Sequence, residues 1–313
     1  MLILGIETSH DDTSLALLNE HGVVDMISIS QADFFKKYGG TIPELASREH
    51  VQNIAIILDQ MIKKHNLKDI SHIAYTEKPG LIGTLQIGFL FASALSLSLD
   101  VPLIPINHLY GHLFSASIDN KVIFPALCLL VSGGHTQLLL AKDVDQIEII
   151  GETMDDAIGE VFDKVAAKSN IGFPGGPIID KIFENYRGEF ITFTKPKTLK
   201  ELDFSFSGLK TQVINYIHNS FQKNTKIDVN QVVASFQKTA IDYVIEKTKT
   251  AVSQHNIKTL ILGGGVSANS YLRKEFVKIF DNTIIPNLKY ATDNGAMIAQ
   301  YAFLQLEKMN SKK

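Results

Sequence analysis

The chain has 313 residues, 45% hydrophobic and 20% charged, with a formal net charge of −3. That length exceeds one comfortable core and suits two domains, and the composition is that of an ordinary soluble protein. The slight acidity excludes nucleic-acid binding driven by overall charge, so any RNA surface must be a local basic patch.

Taken in chain order, the N-terminus reads Met-Leu-Ile-Leu-Gly-Ile-Glu, without the basic flank or cleavage pattern of a signal peptide. Residues 2–6 form a short apolar strand. A polar turn crowded with Glu7, Asp11 and Asp12 follows, then two further strands at 13–18 and 23–30. Val51, Ile54, Ala55, Leu58, Met61 and Ile62 recur at helical spacing and predict an amphipathic helix starting near Pro43. Residues 72–76 read as a strand. The stretch 81–99 approaches membrane length, but Gly83, Thr84, Gln86, Gly88 and three serines interrupt it. A buried core helix over 82–97 is expected there, and no membrane span. A strand at 103–106 leads into Asn-His-Leu-Tyr-Gly-His. If Asn107 caps a helix, His108 and His112 sit one turn apart on one face, a spacing suited to a divalent metal.

The pattern then restarts. Residues 126–131 and 137–141 flank the turn Ser132-Gly133-Gly134, whose small residues let backbone N–H groups come close to a phosphate. The single cysteine, Cys128, falls in the first of these strands. An inert core thiol and a reducing, cytoplasmic setting are expected. A strand at 146–150 precedes a helix at 156–168 with Ile158, Val161, Phe162 and Val165 on one side. Phe173-Pro174-Gly175-Gly176-Pro177, with Asp180 beyond it, is a second glycine turn feeding a helix. After an interruption come a long helix at 229–254, a strand at 260–262, a helix at 269–280, a strand at 283–285 and a helix at 294–306. Gly263-Gly264-Gly265, between a strand and a helix start, suits close approach to a ring or ribose.

Each half thus reads strand, turn, strand, strand, helix, strand, helix, strand, helix. This predicts two α/β domains, 1–120 and 121–313, flanking a cleft. An insertion at about 170–228, rich in Lys, Thr and Phe, reads as a substrate or partner element. Lys36, Lys37, Lys63, Lys64, Lys195, Lys197, Lys200 and Lys210 are scattered candidate contacts to RNA, with a solvated surface as their default reading. Helix capping is the default reading of Asp293, although a histidine pair needs a third ligand and a carboxylate is a usual choice. Leu109 and Tyr110 follow His108 where a zinc peptidase would need glutamate, which disfavours peptide hydrolysis.

Several motifs together resemble the tRNA N6-adenosine threonylcarbamoyltransferase family, once described as O-sialoglycoprotein endopeptidases, in its bacterial branch. They are Gly5-Ile6-Glu7-Thr8-Ser9, Pro43 to Arg48, His108 to His112, Val131 to Leu138, Gly159 to Lys164, Phe204 to Thr211, Gly263 to Asn269 and Thr292 to Met297. The resemblance implies a duplicated actin-like, ribonuclease-H-like fold of the sugar-kinase and chaperone ATPase superfamily, with two lobes and a nucleotide cleft. It implies transfer of a threonylcarbamoyl group from its adenylate to N6 of the adenosine beside the anticodon, in tRNAs reading codons that begin with adenine. By the same resemblance His108, His112 and Asp293 hold one divalent metal, Fe2+ or Zn2+. Leu130, Val131, Ser132, Gly133, Gly134, Asp163, Gly176, Asp180 and Asn269 bind the threonylcarbamoyl-adenylate, with ATP and Mg2+ as the alternative occupant. Asp11 supports the phosphate and the transfer chemistry. The implied partners are tRNA, a shorter paralogue of the same fold and a small P-loop ATPase, and a homodimer is compatible. His10 and Lys78 depart from the family's usual cysteine and glycine. Two other readings are a same-fold partner without chemistry, which tends to lack the histidine pair, and a small-molecule kinase, which holds magnesium through carboxylates and water.

Overall fold

The computed structural model describes residues 1–222 and 227–311, so residues 223–226 of the expected insertion lie outside it. The chain forms two compact units, one of Met1–Lys121 with Pro286–Lys313, the other of Val122–Ile285. This corrects the expected assignment of 121–313 to one domain: the last segment returns to the first unit.

In the first unit, β1 (Ile3–Glu7), β2 (Asp12–Asn19), β3 (Gly22–Ser30), β4 (His72–Lys78) and β5 (Leu103–Asn107) form one sheet in the order β3-β2-β1-β4-β5. β1 pairs antiparallel with β2 and parallel with β4, and β4 pairs parallel with β5. Every residue of β1 is buried, as expected of a central strand covered on both faces. The helices are α1 (Ala32–Phe35), too short to leave a periodic signal, α2 (Pro43–Ile62), α3 (Ile82–Leu99), α4 (His108–Ser115) and, after the second unit, the tail helix Gly295–Asn310.

α3 departs from the buried core helix that the sequence suggests. It is long and apolar enough to cross a membrane, yet only 17% of it is buried within the protein. Thr84, Gly88 and Ala92 face inward, whereas Ile82, Leu90 and Leu97 are 77%, 61% and 84% exposed.

In the second unit, β6 (Ala126–Val131), β7 (Thr136–Asp143), β8 (Gln146–Glu152), β9 (Thr259–Gly263) and β10 (Thr283–Ile284) repeat that topology in the order β10-β9-β6-β7-β8. Its helices are α5 (Ile158–Lys168), α6 (Gly175–Asn185), α7 (Ser207–Gln222), α8 (Val229–Gln254) and α9 (Ser270–Phe276), which makes the tail helix α10. The apolar side of α5 and the alternate residues Leu127, Leu129 and Val131 of β6 enter one core, while Cys128 is fully buried in the same strand.

The segment read as an insertion belongs to that core as well. Ile179, Phe204, Phe206, Leu209 and Val213 are fully buried in it. Each such side chain contributes about 1.5–3 kcal/mol on burial, so this stretch is part of the fold rather than an appended loop. Its irregular pattern follows from using two short helices joined by extended chain. Of the candidate RNA contacts within it, Lys210 is paired with Asp156, and Lys195 with Glu246.

Candidate metal centre and glycine turns

The metal candidates meet within the first unit. Asn107 caps α4, accepting from Leu109 N at 2.9 Å and Tyr110 N at 3.4 Å. The two imidazoles consequently project from one side of α4, with ring centroids 4.6 Å apart. On the tail, the cap of α10 is Asn294, whose Oδ1 accepts from Met297 N at 2.9 Å. Asp293, one residue earlier, is thereby released from capping and turns toward the histidines. Its Oδ1 lies 3.0 Å from His112 Nε2 and 3.6 Å from His108 Nε2. One donor atom from each residue falls within 4.8 Å of the other two.

Close contact between β1 and α10 makes this convergence possible. A Cβ built on Gly5 would stand 2.1 Å from Gly295 O, and one built on Gly295 would stand 2.6 Å from Gly5 O. Only glycine at both positions lets the start of α10 reach the sheet.

Two donors bound at about 2.1 Å to one tetrahedral ion stand about 3.4 Å apart, and the two Asp293 distances bracket that value. Two imidazole nitrogens and a carboxylate form a donor set suited to zinc or iron. The side chain of His112 is 1% exposed and that of His108 8%, while Asp293 is 22% exposed, so the cluster has one open side. These residues therefore fit a metal that retains a free coordination position.

The electrostatics are those of an interleaved charge cluster. Burial opposes charge on His108, but Glu7 and Asp293 push it up to about 9. Burial would raise the Asp293 carboxyl, and His108 and His112 hold it well below the usual carboxylate range instead. Glu7, grouped in the sequence with the acidic residues of a polar turn, is fully buried and faces His108 Nδ1 at 3.0 Å. Sequence reasoning missed this pairing. The available signal was its place at the end of an apolar strand.

The rest of that turn behaves differently. Asp11 Oδ1 lies 2.7 Å from Nδ1 of the half-exposed His10. Burial disfavours charge on His10, but the hydrogen bond and charge of Asp11 outweigh it and raise the imidazole. Asp12 Oδ1 is buried and, among the described residues, has no hydrogen-bond partner. Burial first, and then the charge of Asp293, push its carboxyl up to about 7 despite a hydrogen bond from Ser30. The folded state thus holds a proton that the unfolded chain releases, and stability falls as pH rises from about 4 to about 7. Asp12→Asn is expected to raise the thermal midpoint of the metal-free protein. The gain should grow across that window and level off above it, at no more than about 4 kcal/mol. Equal gains at pH 4 and pH 8 in thermal melts would contradict this.

The remaining candidates belong to the second unit, around the C-terminal ends of β6 and β9. In the turn Ser132-Gly133-Gly134, Ser132 N donates to His135 O at 2.8 Å, and His135 N donates to Ser132 Oγ at 3.0 Å. Gly159 N, in the first turn of α5, donates to Ser132 O at 3.2 Å. A Cβ on Gly133 or Gly134 would meet nothing, so the turn is open above. Gly264, at φ +83°, packs against the end of β6, where a Cβ would lie 2.4 Å from Val131 O. The side chains of Leu130 and Val131 are fully buried, which leaves only their backbone for a ligand.

Asp163 Oδ1 accepts from Gly175 N at 2.7 Å and ties α5 to α6, and Gly176 beside it is open. Asp180 accepts from Gln237 Nε2 at 2.7 Å, Ser270 Oγ at 2.9 Å and Ser270 N at 2.8 Å. Asn269 caps α9 through Leu272 N at 2.9 Å. Two of the side chains expected to touch nucleotide, Asp163 and Asp180, thus also join α5, α6, α8 and α9, and a third, Asn269, starts α9. The expected helix over 269–280 is shorter than that, running as α9 after a 3-10 turn at Gly265–Ala268.

Two α/β units of one repeated topology, the first with a buried His–His–Asp cluster, define a protein of the actin-like ATPase fold with a candidate metal centre. Solved structures agree on the fold. Full-length HypF, in a phosphate- and nucleotide-bound form, superposes with a TM-score of 0.67 at 14% identity over 98% of this chain and 46% of HypF. The chain therefore spans about half of HypF. Component A of the (R)-2-hydroxyglutaryl-CoA dehydratase of Acidaminococcus fermentans gives 0.57 at 12% identity, covering 97% of this chain and 99% of that one.

Sequence comparison narrows the class. Residues 22–300 match the TsaD family, tRNA N6-adenosine threonylcarbamoyltransferase. The protein of that name from Mycoplasmopsis agalactiae is 60% identical over 98% of this chain and all of the relative. That from Mycoplasmopsis synoviae is 59% identical over 98% of this chain and 99% of the relative. The chain belongs to the tRNA N6-adenosine threonylcarbamoyltransferase family. It is a transferase of tRNA modification, and its group is threonylcarbamoyl.

Proposed function

We propose that this transferase is metal-dependent, with His108, His112 and Asp293 as ligands, and that its donor is threonylcarbamoyl-adenylate. The acceptor is N6 of the adenosine beside the anticodon, in tRNAs reading codons that begin with adenine. The observation that carries the metal reading is the meeting of His108, His112 and Asp293 from α4 and the tail. When bound, an Fe2+ or Zn2+ ion would supply charge stabilisation to a phosphate oxygen through its open position.

The chain's own residues supply the rest. The open turn Ser132-Gly133-Gly134 offers backbone N–H groups to the adenylate, and Gly176 and the Gly264 loop leave room for its ring and ribose. Asp163, Asp180 and Asn269 fix the helix starts that surround the nucleotide. In the reaction, N6 attacks the carbamoyl carbon, a C–N bond forms, the C–O bond to phosphate breaks, and AMP leaves. The mixed anhydride already contains a good leaving group, so positioning the weakly nucleophilic amine and stabilising the departing phosphate are the main demands. Asp11, hydrogen-bonded to His10, takes the amine proton. The uncovered apolar strip of α3 supports a protein partner, for which the resemblance supplies a shorter chain of the same fold, working with a small P-loop ATPase.

The test mixes metal-loaded protein with threonylcarbamoyl-adenylate and unmodified tRNA and analyses the nucleosides by mass spectrometry, with the two partners added in a second arm. Threonylcarbamoyladenosine is the expected product. Its absence from both arms, with folded and metallated protein, overturns the proposal.

A further inference from the structure

We propose that Glu7 is a positioning residue for the metal centre, fixing the tautomer and ring orientation of His108. The inference rests on the metal reading given above. Glu7 is the last residue of β1 and is fully buried, and its carboxylate is held from three directions. Oε1 accepts from Ser9 N at 2.5 Å. Oε2 accepts from Thr76 Oγ1 of β4 at 2.6 Å and faces His108 Nδ1 at 3.0 Å.

An ionised carboxylate has no proton to give, so His108 Nδ1 must carry the hydrogen of this bond. Nε2 is then the ring nitrogen on the side where Asp293 and His112 Nε2 lie, the one a metal would take in exchange for its proton. Metal-bound histidines ordinarily have such an outer partner, which fixes the ring and raises its basicity.

The two histidines are unequal here. His112 Nδ1 is buried and, among the described residues, has no hydrogen-bond partner. Glu7 thus anchors one ligand of the pair, and His108 is the preset one. A buried carboxylate–imidazole pair without a further task is a weak source of stability, since removing both charges from water offsets most of their attraction. Its position at the base of the ligand cluster points to ligand orientation.

The experiment titrates Zn2+ and Co2+ into the full chain against a chromophoric chelator, for wild type and Glu7→Gln. The isosteric amide keeps the volume and can accept a hydrogen bond, but it lacks the charge. Glu7→Gln is expected to bind metal about 10–100-fold more weakly and to shift the visible Co2+ bands, with unchanged circular dichroism. Nitrogen-15 spectra of the Zn2+-loaded wild type are expected to show His108 protonated at Nδ1, a readout that needs no variant to fold. Equal affinity and equal Co2+ bands in Glu7→Gln overturn the role of Glu7 and leave the metal reading intact, whereas a His108 protonated at Nε2 in the Zn2+-loaded protein overturns both the role of Glu7 and His108 as a ligand. A folded wild type that binds neither ion overturns both.

Discussion

Asp293→Ala is expected to empty the metal centre and to lower threonylcarbamoyl transfer by more than the about 10–100-fold that loss of an outer-shell partner brings, while the protein remains folded. The fold survives because Asn294, and not Asp293, caps α10. The site does not, because Asp293 is the anionic donor placed between both Nε2 atoms, at 3.0 and 3.6 Å. Two imidazoles alone leave a divalent ion with half of a tetrahedral shell and no charge compensation. Elemental analysis of purified protein and nucleoside analysis of the treated tRNA check the two halves of this prediction. A variant with full metal content would remove Asp293 from the centre.

Gly295→Val is expected to destabilise the first unit by more than the about 1–3 kcal/mol usual for an overpacked core position. A Cβ at this position would lie 2.6 Å from Gly5 O, 2.7 Å from Ala16 N and 2.9 Å from Leu15 C. All three are backbone atoms of β1 and β2, which cannot swing aside as a flexible side chain would. Gly295 N also donates to Ser14 Oγ at 2.9 Å, a bond that is lost if the helix retreats. Retreat would carry Asp293, two residues upstream, away from α4. Urea unfolding should show a lower midpoint, and the variant should retain less metal than wild type at equal free ion. An unchanged midpoint would mean that this glycine is not needed for the contact.

What could be read in the residues differs from place to place. The spacing of His108 and His112 after a capping asparagine was legible because α4 is local and its geometry follows from its period. The proposed third ligand was only weakly legible: a histidine pair calls for a carboxylate, but it took the resemblance to point to Asp293 rather than to a capping role. Aspartate before a helix ordinarily caps it, and nothing local says that the next residue, Asn294, takes that task. The repeat of strands and helices announced two sheets of one topology, since each half carries its own periodicity. The return of Pro286–Lys313 to the first unit was not legible, because adjacency along the chain favours the second. It depends on a glycine pair, Gly5 and Gly295, that lies 290 positions apart and touches only in three dimensions. The apolar run of α3 shows why composition is a poor guide to burial: it measures preference for leaving water without saying what provides the cover. Glu7 was grouped with Asp11 and Asp12 by proximity in sequence. As the last residue of the fully buried β1 it lies inside the fold, where only the coordinates reveal the imidazole it meets.

The tail helix also sets an order on synthesis. Met1–Lys121 leave the ribosome first, but α10 and the aspartate ahead of it come last. Until translation is almost finished, the nascent first unit lacks a helix that covers β1 and β2, as well as the carboxylate that completes its ligand set. On the proposed ligand set, metal loading would have to wait until translation is nearly complete, since a chain stalled anywhere before residue 286 carries the two histidines without Asp293.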